Sequence, residues 1–253
     1  MIAHSLHAVN RAIDRCVAIV LCFSRGVYFP VKGMSGVVRI FAQLSVHRHG
    51  SGRQPENQLI SGEPTRYAGC GCCRPEQKQL TAEDVAVTVC MSCAAITREA
   101  SPQATEISIW EYLLKDESFP WPDYHGERMT IQDCWRARNR PEVHAAVRQC
   151  MERMNLTVVE LAENRERAQF DGVWRFRPVA KRNLDIAPMY FSDVQAHGLA
   201  LLPEEQQRRR MVEWVQQYQT ERVVAYCNAC VKGIVLGGAK GVHLLQLATK
   251  ELK

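Results

Sequence analysis

Two pairs of cysteines, Cys90/Cys93 and Cys227/Cys230, share one spacing and one setting. Each C-x-x-C follows a run of strand-forming residues, VAVTV at 85–89 and VVAY at 223–226, and each leads into an apolar, helix-compatible run. Two thiols placed this way can close a disulfide, grip zinc, ligate an iron–sulfur cluster, or act as a redox dithiol whose pKa a helix N-terminus lowers. A third group, GCGCCR, supplies Cys70, Cys72 and Cys73, and Cys134 ends the strand-like MTIQDC. With Cys16, Cys22 and Cys150 the chain holds 11 cysteines. An odd number, in a chain that is 46% hydrophobic and able to build an ordinary core, does not fit a secreted disulfide scaffold. The clustering points to metal or redox chemistry in a reducing compartment, so a cytoplasmic location is expected.

The elements that must hold these thiols recur along the chain. Cys227 stands 137 positions after Cys90, and Cys230 stands 137 after Cys93. Each pair is followed by a further apolar segment, ISIWEYLL at 107–114 and VHLLQLA at 242–248. This is an internal repeat of one unit: strand, C-x-x-C, helix, further element. Upstream of the second unit, MTIQDC predicts a strand and PEVHAAVRQCMERM predicts a helix. Pro141 suits the first turn of that helix, and Val143, Val147, Cys150, Met151 and Met154 fall on one face. Cys150 is therefore expected as a buried core thiol. LTVVEL at 156–161 predicts a strand leading to Phe170-Asp171-Gly172, and 202–218 predicts an amphipathic helix carrying Met211, Trp214, Val215 and Tyr218. Before the first unit, VYFPV at 27–31 predicts a strand and VVRIFAQL a helix, followed by a polar loop over 47–65. Strands alternating with helices give an α/β class. The expected division is an N-terminal extension over 1–26, a first repeat over 27–120 and a second over 121–253.

Composition excludes little else. The net charge of +5 is too mild to demand nucleic acid, and Arg208-Arg209-Arg210 reads as a solvated helix face. The apolar run at 16–23 is far shorter than the ~18–20 residues of a membrane span, and no small-residue cleavage site follows it. Gly237-Gly238 reads as a tight turn at a helix end. His125, His144 and His243 read as packing or surface histidines. Trp135, Arg136 and Arg138 follow Cys134 directly, where cations would favour thiolate. The chain contains no H-E-x-x-H, nucleotide-binding loop or dinucleotide fingerprint.

Both halves resemble the cysteine-rich CCG domain found in heterodisulfide reductases and in the iron–sulfur component of glycolate oxidase. The likeness covers about residues 27–250 and is most specific over QDCWRARNRPEVHAAVRQCMERMNLTVVELAEN and YCNACVKGIVLGGAKGVHLL. It implies two pseudo-symmetric CCG-type repeats, each with a C-x-x-C at a strand end. It also implies an iron–sulfur cluster, of 4Fe–4S or noncubane type, with electron transfer or thiol/disulfide reduction as the role. In the first half Cys72 and Cys73 match the paired cysteines and Cys90 and Cys93 the C-x-x-C. Val31-Lys32 stand where the leading Gly-Cys would be, with Cys70 as a substitute thiolate. In the second half Cys134 matches the leading cysteine and Cys227 and Cys230 the C-x-x-C, while Asp171 replaces a cysteine as a hard oxygen ligand. Electrons would come from a redox partner protein, because no flavin or nicotinamide unit is recognisable. The alternatives are a single zinc ion shared between facing C-x-x-C pairs, a zinc-stabilised or metal-free interaction module of the same fold, and a thioredoxin-like dithiol.

Overall fold

The computed structural model describes residues 17–20, 80–82, 84–117, 119–176, 181–198 and 200–249. The strand and helix expected over 27–44, the loop at 47–65, Val31, Lys32 and the cysteines Cys70, Cys72 and Cys73 lie outside the described residues.

Two parallel sheets run through the described residues. The first has the order β1 (Val17–Val20), β2 (Val85–Thr88), β3 (Thr105–Ser108). The second is built from β4 (Arg128–Ile131), β5 (Thr157–Val159), β6 (Arg222–Ala225) and β7 (Lys240–His243), in the order β5-β4-β6-β7. Every strand pairing is parallel, so each return crosses over through a helix or loop. β2 is buried at all its positions, as a strand covered on both faces must be, which is why Val85, Ala86 and Val87 run without polar alternation. β1 pairs with β2 through Val17↔Val85 to Val20↔Thr88. The first sheet thus draws a strand from inside residues 1–26, which the sequence had set apart as an extension. Hydrogen bonding along β2 is what gives that apolar run its place.

The helices are α1 (Met91–Ala100), α2 (Ile109–Lys115), α3 (Pro141–Arg153), α4 (Lys181–Ile186), α5 (Pro188–Ala196), α6 (Glu204–Val215), α7 (Asn228–Leu236) and α8 (Leu244–Ala248). The order strand, helix, strand, helix occurs twice, as β2-α1-β3-α2 and as β6-α7-β7-α8. Cys90 occupies the N-cap of α1 and Cys227 the N-cap of α7. The second helix of each run opens on a capping box, Ser108 with Glu111 and His243 with Gln246. Such a box satisfies orphan N–H groups at both its ends and fixes where the helix starts.

α3 forms as its spacing predicts, with Pro141 in the first turn and Val143, Val147, Cys150, Met151 and Met154 fully buried. Cys150 is a core thiol: its S–H points at the Trp110 carbonyl, and burial pushes its pKa up to about 12. One continuous core joins Val87 and Trp110 to Ile131, Val147, Val224 and Leu244. A smaller cluster packs Ile96 of α1 against Phe191 of α5. Sequence periodicity gave no sign of α4 and α5. α5 is fixed by a distant partner, since Glu99 on α1 accepts hydrogen bonds from the Met189 and Tyr190 N–H groups, both at 2.8 Å. Those are orphan donors of a helix N-terminus, where a carboxylate is most stabilising.

Candidate metal centre

β4 and β6 lie side by side and run the same way, so their C-terminal ends open at one edge of the sheet. That edge is where parallel α/β sheets present chemistry. The chain leaves β4 through Gln132 and Asp133 and reaches Cys134, which caps a short 3-10 turn, Trp135–Ala137. It leaves β6 through Tyr226 and reaches Cys227, and the first turn of α7 carries Cys230 back over it. The three sulfurs all lie within 4.8 Å of one another, and all three residues are buried.

The three thiols do not titrate alike. Cys227 accepts hydrogen bonds from the Cys134 and Cys230 S–H groups. These, with the nearby Arg136 guanidinium, hold its thiol pKa well below the ordinary value despite burial. The α7 N-terminus behind it favours the anion further. Cys134 is raised because it gives its proton to that bond, and Cys230 is raised first by burial. Cys227 is thus the first of the three to give up its proton, and a metal ion would displace the protons that remain.

Arg136 is buried beside them. Burial disfavours its charge, but Tyr190, Cys134, Cys227 and Asp171 hold the guanidinium protonated. Its Nη2 lies 3.5 Å from Asp171 Oδ2, and both side chains are 1% exposed. Burial pushes the Asp171 pKa up against the pull of Arg136 and Arg175. Arg138 stacks over Trp135 at 3.8 Å, and His197 stacks on Trp135 at 3.7 Å. Burial, then Arg175, Arg138 and Arg136, push His197 down to about 4, so it is neutral at physiological pH. The arginines around the thiols are matched by carboxylates, Arg136 and Arg175 by Asp171 and Arg138 by Asp193.

A hydrogen-bonded frame fixes the sulfurs. Asp133 precedes Cys134, and Tyr226 precedes Cys227. The Tyr226 hydroxyl donates to Asp133 Oδ1 at 2.9 Å and accepts from the Cys134 N–H at 3.4 Å. Asp133 also takes two hydrogen bonds from Arg148 and one from the Arg165 N–H. Burial works against its charge, and these donors overcome it, holding the carboxyl below the usual range. Gln132 Oε1 accepts from the Trp214 indole and the Tyr218 hydroxyl, both at 2.8 Å. Across the site, the Phe170 carbonyl accepts from the Trp135 N–H at 2.8 Å and lies 4.0 Å from Cys230 Sγ. Gly172 next to it has φ +61, and a Cβ there would fall 1.9 Å from the Ala229 carbonyl oxygen. Only glycine lets this turn lie on the first turn of α7.

The structure brings together three of the residues singled out from sequence, Cys134, Cys227 and Cys230. Among the described residues, Cys90, Cys93 and Asp171 are outside that close group. Asp171 faces two guanidiniums instead. Cys93 is fully buried in the first turn of α1, and Cys90 is half-buried. Cys90 is near enough that negative charge on its sulfur would oppose, as a minor effect, the lowering of the Cys227 and His243 pKa values. Tyr190 links the two motifs, donating its hydroxyl to Ser92 at 2.8 Å. His125 is exposed and sits 3.3 Å from Asp123, while His144 is buried and lowered by burial. Gly237 ends α7, and Gly238 takes φ +90. Asp133 and Tyr226 went unnoticed in the sequence, where their only signal is that each directly precedes a cysteine.

No family model matches the chain, and no curated protein matches it. Among solved structures it is similar to an aspartate racemase homologue from Pyrococcus horikoshii OT3, at 11% identity and a TM-score of 0.26, over 66% of this chain. The match spans 64% of that protein, under two thirds of its length.

Proposed function

We propose that this chain is a redox protein of CCG type, in which Cys134, Cys227 and Cys230 hold an iron–sulfur cluster that serves electron transfer or thiol/disulfide reduction. The observation that carries the proposal is the convergence of three buried thiols at a sheet edge beside a buried guanidinium. Thiolates are the ligands such clusters take. Three of them leave one iron without a protein ligand, which suits chemistry better than storage. Three thiolates around a divalent core would keep one net negative charge, and Arg136 and Arg175, which share Asp171 between them, would help to offset it. When bound, the cluster would supply one-electron steps, and a redox partner protein would deliver the electrons.

The repeat enters the proposal too. Equivalent order of elements, equivalent N-cap cysteines and equivalent capping boxes support two CCG-type halves. Val87 pairs with Ile19 and Val224 with Ile131. Cys134 follows Ile131 by three residues, and in sequence Cys22 follows Ile19 by three. On this reasoning Cys22, rather than Val31 or Lys32, answers to the leading cysteine.

A single zinc or ferrous ion is the second reading, favoured by the 4.8 Å limit on the sulfur separations, from which a cluster would have to spread the three sulfurs apart. Zn–S bonds of about 2.3 Å put tetrahedral sulfurs roughly 3.8 Å apart. The test is anaerobic purification with iron, acid-labile sulfide and zinc measured per chain, beside Cys227→Ser and Cys134→Ser. Iron with equal sulfide, lost in either variant, supports the cluster. Zinc alone, lost in the same variants, selects the single ion. Metal that survives both substitutions, or no metal in the parent chain, defeats both readings.

A further inference from the structure

The proposed metal centre leaves one C-x-x-C unused, Cys90 with Cys93. Its local geometry matches that of the second motif. Cys90 is the N-cap of α1 with φ −98 and ψ 129, and Cys227 is the N-cap of α7 with φ −134 and ψ 127. In both, the second cysteine is the third helical residue. The Ala94 N–H bonds to the Cys90 carbonyl at 2.9 Å and the Val231 N–H to the Cys227 carbonyl at 3.0 Å, so both first turns close in the same way. An N-cap side chain lies close enough to the third helical residue to accept from its N–H, which brings the two side chains together. In the second motif the two sulfurs are within 4.8 Å. What differs is the support. Tyr226, whose hydroxyl joins Asp133 to the Cys134 N–H, has Val89 at the matching position 137 residues earlier. Val89 is buried in the apolar core and brings no polar group to brace a ligand. Among the described residues, no third ligating side chain lies with Cys90 and Cys93 as Cys134 lies with Cys227 and Cys230. Exposure differs too: Cys227 is 3% exposed, whereas Cys90 is only half-buried, with Cys93 fully buried behind it. A reachable thiol backed by a buried one is how a nucleophilic cysteine and its resolving partner are placed. No acidic residue stands in the first turn of α1 to oppose a thiolate there.

We infer that Cys90 and Cys93 form a dithiol site, separate from the metal centre, that reduces an external disulfide R–S–S–R. The Cys90 thiolate attacks one sulfur of the substrate; the S–S bond breaks, a Cys90–S–S–R bond forms and RS⁻ leaves. Cys93 then attacks the Cys90 sulfur, closing the Cys90–Cys93 disulfide and releasing the second RS⁻. The protons that the two cysteines lose are the ones the two released thiolates gain. Two electrons pass from the cysteine pair to the substrate, which ends as two molecules of RSH. An external dithiol reverses the change and restores the site. The inference stands whichever metal Cys134, Cys227 and Cys230 hold, since it uses neither those sulfurs nor electrons from that centre.

The test treats the full chain, purified anaerobically, with hydroxyethyl disulfide and maps the cysteine pairs by mass spectrometry, with metal content measured before and after. The expected product is a Cys90–Cys93 disulfide, formed with matching release of mercaptoethanol, reversed by dithiothreitol and leaving metal content unchanged. Cys93→Ser should stop the reaction at a mixed disulfide on Cys90. Cys90→Ser should slow modification of Cys93 at least about tenfold, because the buried thiol loses its reachable partner. Both variants should hold as much metal as the parent chain. Circular dichroism checks each for folding; should Cys93→Ser not fold, Cys93→Ala replaces it. The inference is overturned by pairing of Cys90 with any cysteine other than Cys93, or by the absence of a Cys90 adduct in the folded Cys93 variant. It is equally overturned by unchanged modification of Cys93 in Cys90→Ser, or by metal lost from either folded variant, which would make the pair ligands. If the pair closes in a parent chain that holds no metal, the inference stands and the proposed function alone falls.

Discussion

Gly172→Ala puts a single methyl where the Phe170–Gly172 turn meets α7. The new Cβ would lie 1.9 Å from the Ala229 oxygen, 2.3 Å from its carbonyl carbon and 2.6 Å from the Cys230 nitrogen, all below the 3.0 Å that real Cβ contacts respect. All three are backbone atoms, so no side chain can swing aside. The turn and the first turn of α7 must part by more than about 1 Å. Holding alanine at φ +61 costs about 1–2 kcal/mol by itself. The separation also strains the Val173 N–H bond to the Ala229 carbonyl, now 3.1 Å, worth about 1 kcal/mol, and opens packed backbone. A total of about 4 kcal/mol or more is expected. Because α7 carries Cys227 and Cys230, its displacement moves two thiols relative to Cys134 and should lower retained metal in any surviving folded protein. Gly238→Ala is the internal control: φ is +90, but no atom lies within 4 Å of the added Cβ, so only the backbone cost of about 1–2 kcal/mol applies. Urea unfolding and metal content are measured on both. If Gly172→Ala lies within about 1 kcal/mol of Gly238→Ala and keeps its metal, the turn does not lie on α7 as described.

Tyr226→Phe removes the hydroxyl that ties Asp133 to the Cys134 N–H; a chelator competition should show metal affinity reduced about 10–100-fold, with equal affinity counting against a positioning role. His243 is held near pKa 4 by burial, below its unfolded value of about 6.5, so it binds its proton more readily unfolded. Its contribution is complete above pH 6.5 and is lost as pH falls to 4, up to about 3 kcal/mol, while protonation also disrupts its acceptance of the Leu245 N–H. His243→Asn should flatten the stability profile in that window, as denaturant midpoints across pH 4–7 will show. Arg140→Met strips the partner from Glu106, 3.1 Å away and 1% exposed, and should cost about 3–5 kcal/mol by urea titration; adding Glu106→Gln should restore much of it.

Local sequence determined the elements that need only neighbours. Val143, Val147, Cys150, Met151 and Met154 recur at helical spacing, so α3 and the burial of Cys150 were legible in advance. A strand followed by C-x-x-C and a helix was legible twice, because the thiols mark the N-caps of α1 and α7. The α/β class follows from that alternation. What sequence could not rank was proximity. Cys134 and Cys227 are 93 residues apart, and they meet because β4 and β6 are hydrogen-bonded neighbours that end at one edge. Cys90 and Cys93 carry the same local signature, yet they belong to the other sheet and stay outside the close group of sulfurs. Asp171 looked like a spare ligand by position, and the fold gave its carboxylate to Arg136 and Arg175. Asp133 and Tyr226 are ordinary residues in the sequence, and they matter only because adjacent strands deliver them to each other. Periodicity is set by bonds a few residues long, whereas a site depends on which distant strands pair, and that is decided by the packing of the whole core.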